Sequence, residues 1–371
     1  MFVVPRNMKR FITHLLAFAF GVVTVILWSK TTKPDDGVNA NQTQSERIGM
    51  MIDGRPVDRS GVGSKAMRPD HRPSLEMEMS KSIGHTDLEA WLESKKGNSR
   101  SYAEALVIAG LLTKDPDLIR QGIQTDPLNG HLLFIGTTFP AFSVEERLAT
   151  SKRLLEATPE NALSSFISAA YLSESGETDA AIQILKGSAQ RPKMDDFRMA
   201  TQLMTEDALI AAGLSPDAAK IRSVFEMGIP YLSDLKSLVG SLKGMEGSLS
   251  PDAASEIRSM TALMGQRLRE QSRSGALIDQ LSGLALEEAT LKGLPDDAPS
   301  PYEGLTVGQA RESIAAERQS VRDVVGSMPN IEDILSNNPD LARRYIERTR
   351  LMGELEAAKW LTNETKAGDD R

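Results

Sequence analysis

Residues 161–192, NALSSFISAAYLSESGETDAAIQILKGSAQRP, show the pattern that organises the centre of the chain. Two apolar stretches with helical spacing are separated by a short polar turn, and Pro192 follows the second stretch. Pro127 and Pro159 follow two earlier apolar stretches, so the three prolines lie 32 and 33 residues apart. This spacing predicts helical hairpins that succeed one another along the chain.

Two nearly identical phrases, LSPDAAKIRS at 214–223 and LSPDAASEIRS at 249–259, predict helix starts 35 residues apart. In each, a serine caps the helix, a proline occupies the first turn and an aspartate faces the positive end of the helix dipole. Similar starts predict similar hairpins, giving about five units of 28 to 38 residues. The second helices of these units are expected to begin near Asp115, Ser143, Thr178, Ser215 and Ser250.

Residues 161–192 resemble a tetratricopeptide repeat, although Ser165 stands where that family usually has a large residue and Pro192 comes one residue early. Residues 101–127 and 128–159 share the helix layout and the closing proline, but less of the motif. The resemblance implies that the units pack through the small residues Ala169, Ala181 and Ser188, the turn residue Gly176 and the aliphatic Leu172 and Leu185.

Such a family implies an all-α solenoid over residues 84–271, because one hairpin cannot bury its apolar face alone. Stacked hairpins leave an extended concave surface that usually binds a peptide or another protein. We expect the partner-binding residues at Phe166, Ser173 and Glu174. An irregular helical bundle is the alternative fold.

The N-terminus predicts a membrane anchor. Residues 11–28 are apolar and uncharged, and as a helix they would span about 27 Å, close to the thickness of a bilayer core. Arg6, Lys9 and Arg10 precede them, which predicts a cytoplasmic tail at 1–10 and a body outside the cytoplasm, periplasmic in a bacterium. A cleaved signal peptide is the alternative, although this run exceeds the usual apolar length of about 7–15 residues.

Residues 29–83 are rich in polar residues, glycine and proline and show no sustained apolar period, which predicts a flexible linker. Residues 272–371 are predicted to be a C-terminal helical region that caps the repeats. Its last segment, NPDLARRYIERTRLMGELEAAKWL, is expected to form one helix from Asn338. Self-association through 305–362, partly by an apolar face containing Ala310, is the other reading of this region.

Composition excludes several function classes. The 371 residues contain no cysteine, which rules out disulfides and thiolate chemistry, and the net charge of −8 is unfavourable for nucleic-acid binding. The four histidines, His14, His71, His85 and His131, form no metal-binding pair such as HExxH. The last three are expected to be surface or helix-capping residues, and His14 is expected to be a polar residue tolerated within the apolar run.

These observations predict no enzyme and no cofactor. We expect a membrane-anchored extracytoplasmic scaffold that contacts the lipid bilayer through 11–28 and binds another envelope or membrane protein. The alternative function is an all-α envelope hydrolase or transferase that uses carboxylates in the groove.

Overall fold

The fold is all-α, as predicted. The computed structural model describes residues 78–225, 231–247, 249–272, 275–329, 331, 334 and 338–369. Fifteen α-helices and no strand lie in these ranges. The predicted segments 1–10 and 11–28, and residues 29–77 of the linker, lie outside them. The linker prediction is wrong for residues 78–83, because Met79 and Ile83 are buried in a hydrophobic core of the body. Within them, no helix has the length and apolar character needed to cross a membrane.

The helices are numbered in chain order. Their bounds are α1 His85–Lys95, α2 Ser99–Thr113, α3 Pro116–Thr125, α4 Gly130–Thr138, α5 Val144–Ala157, α6 Ala162–Glu174, α7 Thr178–Ser188, α8 Arg198–Ala211, α9 Pro216–Phe225, α10 Tyr231–Glu246, α11 Pro251–Ser272, α12 Leu277–Leu291, α13 Val307–Ser327, α14 Pro339–Met352 and α15 Glu354–Asp369.

Side-chain caps fix several helix starts where the sequence predicts them. The Asp115 carboxylate accepts a first-turn backbone N–H of α3 at 2.8 Å. Ser143 and Glu146 form a reciprocal capping box at the start of α5. The Asn338 side chain caps α14 by accepting the Leu341 backbone N–H at 3.0 Å. The predicted starts are therefore confirmed, and local hydrogen bonding accounts for them.

Three helical hairpins, α2–α3, α4–α5 and α6–α7, follow one another along the chain. α3 packs on α4 and α5 packs on α6, so the hairpins stack in chain order over residues 99–188. Pro127, Pro159 and Pro192 each lie shortly after the second helix of a hairpin. The sequence prediction of chain breaks at these prolines is confirmed.

After α7 the chain turns back instead of extending the stack. α8 packs on α1 and α2, α9 packs on α14, and α10 packs on α6. In a linear solenoid each unit contacts only its neighbours. The structure differs from that arrangement beyond Ser188, because later helices cover the earlier ones.

The two repeated phrases begin helices with different partners. α9, which follows Ser215, pairs with the preceding α8, whereas α11, which follows Ser250, pairs mainly with the following α12. The intervening helix α10 packs mainly on α6, so α11 forms its hairpin with the helix that follows it. The expected boundary between residues 271 and 272 therefore falls at the end of α11, within the α11–α12 hairpin.

Helix α2 lies between two hydrophobic cores. Ala103 and Val107 pack with residues of α3 to α7 and of α10 to α12, which form the first core. Ala105, Ile108 and Ala109 pack with α1, α8, α9, α14 and α15, which form the second core. A helix that is apolar on all sides is expected in such a central position.

Helix α6 is buried from residue 162 to residue 172. The expected packing residues Ala169, Leu172, Ala181, Leu185 and Ser188 are all buried in the paired helices α6 and α7. Between the helices, Gly176 has a φ of 84°, in the left-handed region where glycine avoids the steric cost of a β-carbon.

The prediction of one uninterrupted final helix is wrong. α14 ends at Met352 and α15 begins at Glu354, because Gly353 adopts a φ of 83° that a right-handed helix cannot continue. The two helices then pack against each other. Upstream, Ala310 and the rest of the apolar face of α13 are buried against α12 within the same chain.

The α11–α12 hairpin depends on a close backbone approach. A β-carbon placed on Gly283 would lie 2.5 Å from the Gly265 carbonyl oxygen and 2.7 Å from the Arg269 amide nitrogen. Neither neighbouring atom is the end of a flexible side chain, so the helices would have to separate to accommodate it. A glycine pair thus sets the distance between the two helices.

We expect Gly283→Ala to lower the free energy of unfolding by about 2 kcal/mol, because overpacking outweighs the gain in helix propensity. Gly240→Ala is the matched control, since a β-carbon on this helical glycine of α10 meets no atom within 4 Å. It should stabilise the protein by about 1 kcal/mol. Urea unfolding followed by circular dichroism measures both, and equal stabilisation by the two variants would contradict the close approach.

Candidate protein-binding surface

Helix α8 presents an apolar surface to solvent. Thr201, Thr205, Ala208 and Leu209 are among the residues on its inner side, packed into the protein. On its outer side Met199, Leu203 and Ile210 follow a helical spacing that places them on one face. We name this surface the α8 face and define it by the exposed residues Met199, Ala200, Leu203, Ile210 and Ala211.

The start of α8 is held by a buried ionic network. The Arg198 guanidinium lies 2.9 Å from the Asp196 carboxylate and donates a 3.0 Å hydrogen bond to Asp279 of α12. The hydroxyl of Tyr231, the first residue of α10, donates to the other Asp279 oxygen at 2.9 Å. Three helices that are distant in sequence therefore meet at one carboxylate.

Burial and charge act against each other in this network. Burial alone would lower the pKa of Arg198, but the negative charges of Asp279 and Asp196 raise it above its ordinary value. Burial raises the pKa of Asp279, and the positive charge of Arg198 offsets part of that rise. The ions compensate each other within the protein, which is the condition under which buried charges are tolerated.

A histidine supports the inner side of α8. The Nε2 atom of His131 lies 2.7 Å from the Thr201 hydroxyl oxygen, and that hydroxyl donates to the Phe197 carbonyl oxygen at 3.0 Å. The hydroxyl proton is thereby used, so His131 donates through Nε2–H. The imidazole also stacks on the Phe197 ring, with centroids 5.8 Å apart.

Two ion pairs flank the α8 face. On one side, Asp207 accepts hydrogen bonds from Lys95 and from the Trp91 indole of α1, both at 2.9 Å. On the other, Glu206 lies 2.6 Å from Arg350 of α14. Asp207 and Glu206 thus form ion pairs with α1 and α14 on either side of α8. The apolar side chains between them remain exposed.

A second buried carboxylate joins the starts of α12 and α15. Glu354, at the start of α15, accepts the Leu277 N–H at 2.8 Å, and its own N–H donates to the Gly275 carbonyl oxygen at 2.9 Å. This arrangement caps α12 with a residue from another helix. Burial raises the pKa of Glu354, partly opposed by that backbone hydrogen bond.

The structure separates the three residues expected to bind a partner. Phe166 is fully buried in the first core, so its side chain faces no binding surface. Ser173 is partly buried and Glu174 is exposed at the end of α6. Together they mark a polar helix end, and the α8 face lies elsewhere.

The two histidines that the structure describes differ in exposure. His85 is exposed and lies 3.4 Å from Asp115. The expectation that His131 is a surface residue is wrong, because its ring is buried against Thr201 and Phe197. Its backbone N–H donates to the capping Asn129 side chain at 3.1 Å, as a helix start requires. His14 and His71 lie outside the described residues.

The Asp279 carboxylate is fully engaged within the protein. Both oxygens of Asp279 are engaged, one by Arg198 and the other by Tyr231. Within the described ranges, no group of three histidine or carboxylate side chains is arranged to hold a metal ion.

Comparison with protein-family models, curated proteins and solved structures found no match to this chain.

Sequence reasoning missed the α8 face, although its residues were visible. The segment RMATQLMTEDALIA places Met199, Leu203 and Ile210 on one side, but Ala208 and Leu209 are equally apolar on another. A sequence with two apolar sides does not show which one is buried. The packing of α1, α2 and α14 around α8 decides it.

We expect Arg198→Met to lower the free energy of unfolding by about 3–5 kcal/mol, because Asp279 and Asp196 then lose their buried cation. Arg100→Met is the control, since Arg100 forms an exposed pair with Glu104 on α2. Its loss should cost at most about 0.5 kcal/mol. Chemical denaturation distinguishes the two, and similar small losses would refute the role of the Arg198 network.

The stability of the protein should depend on pH through His131. Burial lowers its pKa from 6.5 to about 4, so the folded state binds a proton less readily than the unfolded state. The contribution of neutral His131 to the free energy of unfolding is complete above about pH 6.5 and is lost as the pH falls towards 4. Between pH 7 and pH 5 we expect a loss of about 2 kcal/mol from this residue.

Thermal or urea unfolding at these two pH values tests the assignment. His131→Gln should remove that part of the pH dependence, while His85→Gln, at an exposed position, should leave it in place. An unchanged pH profile for His131→Gln would show that another group is responsible.

Proposed function

We propose that this chain is a membrane-anchored scaffold that binds another envelope or membrane protein through the α8 face. The observation that supports this proposal is the exposure of Met199, Leu203 and Ile210 on one side of a helix whose other sides are packed. Single exposed apolar residues are common on soluble proteins. A line of three on one rigid helix is what an interaction surface requires.

The expected partner element is an amphipathic helix. Its apolar side chains would pack against Leu203 and Ile210, while its polar side would remain in water. The α8 face is pre-organised, because Arg198, Asp207 and Glu206 fix the helix at its start and along both sides. A surface that does not reorder on binding loses less conformational entropy.

The remaining parts of the proposal follow from the sequence. Residues 11–28 anchor the chain, residues 1–10 remain in the cytoplasm, and residues 29–77 carry the body outside it as a tether. The hairpins of residues 99–188 form a short tetratricopeptide-like array that supports the later helices. No cofactor is needed for this function.

Site-specific photocrosslinking in the native membrane tests the binding surface. A photoreactive residue replaces Leu203 in the full-length protein, and in a matched protein it replaces Leu305, which is 40 % exposed in a loop outside α8. We expect a crosslink to one protein from position 203 and none to that protein from position 305. Charged substitutions on the α8 face then test whether the contact needs its apolar side chains.

Leu203→Glu combined with Ile210→Glu should lower the yield of the copurified partner at least about tenfold, because charges would be buried at the interface. Glu174→Lys tests the end of α6 that the sequence favoured, and should have little effect. Retention of the partner by the first variant, together with its loss from Glu174→Lys, would move the binding surface to α6. Circular dichroism confirms that both variants are folded.

A further inference from the structure

A second surface, at the junction of α14 and α15, combines exposed arginine and aliphatic side chains with the half-buried Arg348 and Trp360. The guanidinium carbons of Arg348 and Arg344 lie 4.4 Å and 5.5 Å from the centroid of the Trp360 ring. Leu351 is 83 % exposed, and Met352 beside it is 43 % exposed. We call these five residues the α14 tip.

The charge of α14 differs from that of the chain as a whole. The helix carries four arginines and two acidic residues, whereas the complete chain has a net charge of −8. Near the tip, the Glu364 carboxylate approaches Arg344 only to 4.0 Å, and Arg348 donates to the Met352 sulfur at 3.6 Å. The tip therefore presents positive charge on an otherwise acidic protein.

The order of these side chains fits the surface of a lipid bilayer. Arginine contacts lipid phosphates, tryptophan is favoured at the headgroup level, and a leucine beyond them can enter the acyl boundary. Gly353 ends α14 directly after Leu351 and Met352, so these exposed apolar residues lie at the end of the helix. A protein groove would have to bury both guanidinium groups, whereas a membrane leaves them hydrated.

We propose that the α14 tip contacts an anionic lipid surface, with Leu351 and Met352 in the headgroup region and Arg344 and Arg348 on the lipid phosphates. The inference rests on the membrane anchor of the proposed function, because two aliphatic side chains bind a bilayer weakly. Tethering the body to the same membrane raises the effective concentration and makes a weak contact sufficient. The contact orients the body and is separate from the α8 face.

The absence of cysteine from the chain allows a direct experiment on the full-length protein. Leu351→Cys carries a single environment-sensitive fluorophore, and Leu128→Cys is the matched control, because Leu128 is 76 % exposed in the turn between α3 and α4. Each protein is reconstituted into vesicles of phosphatidylglycerol and phosphatidylcholine, or of phosphatidylcholine alone. Lipid-borne quenchers report contact of the label with the bilayer.

We expect quenching at position 351 to exceed that at position 128 about threefold or more in the anionic vesicles, and to fall with added salt. Arg344→Glu with Arg348→Glu should lower the equilibrium constant for this contact by about 30-fold or more. Equal quenching at the two positions overturns the proposal, as does quenching at 351 that does not depend on phosphatidylglycerol.

The same preparation separates this proposal from the function on which it rests. Protein that floats with the vesicles but shows no contact at position 351 keeps its anchor and refutes the α14 tip. Protein that fails to float with any vesicle refutes both the anchor and the tip contact. Loss of the protein partner from the α8-face variants, with quenching at 351 unchanged, shows that the two surfaces act independently.

Discussion

The buried guanidinium of Arg198 constrains the whole arrangement. A cation at this depth is tolerated only if Asp196 and Asp279 remain beside it, and Asp279 is 81 residues further along the chain. Tyr231 shares the same carboxylate, so α8, α10 and α12 are brought to one point. Hydrophobic burial would stabilise many relative positions of these helices, whereas this network requires one of them.

The position of α8 links the two halves of the fold. At its start it is tied to α12, on its inner side to His131 of α4, and along its flanks to α1 and α14. Helices that come before and after the stacked hairpins thereby close around the central α2. These contacts fix the orientation of α8, so its apolar face lies on the outside of the protein.

The sequence predicted the local features well. Helix starts at Asp115, Ser143 and Asn338 depend on caps within three residues, and glycine or proline marks many chain reversals. The expectation of one last helix failed at Gly353, where a visible glycine signal was passed over. The placement of Phe166 failed for another reason, because an apolar residue in a hairpin helix suits a core and a binding surface equally well.

The all-α class, the hairpin spacing of residues 99–188 and the starts of most helices can be read from the sequence, because each depends on hydrogen bonds and apolar periods within a few residues. The return of α8 to α1 and α2, the side of α8 that faces water and the burial of His131 are set by tertiary packing. These outcomes depend on contacts between residues 70 to 150 positions apart, such as His131 with Thr201 and Arg350 with Glu206. No local pattern specifies such pairs, because the same apolar and charged residues could form equally good contacts with other partners in a different packing.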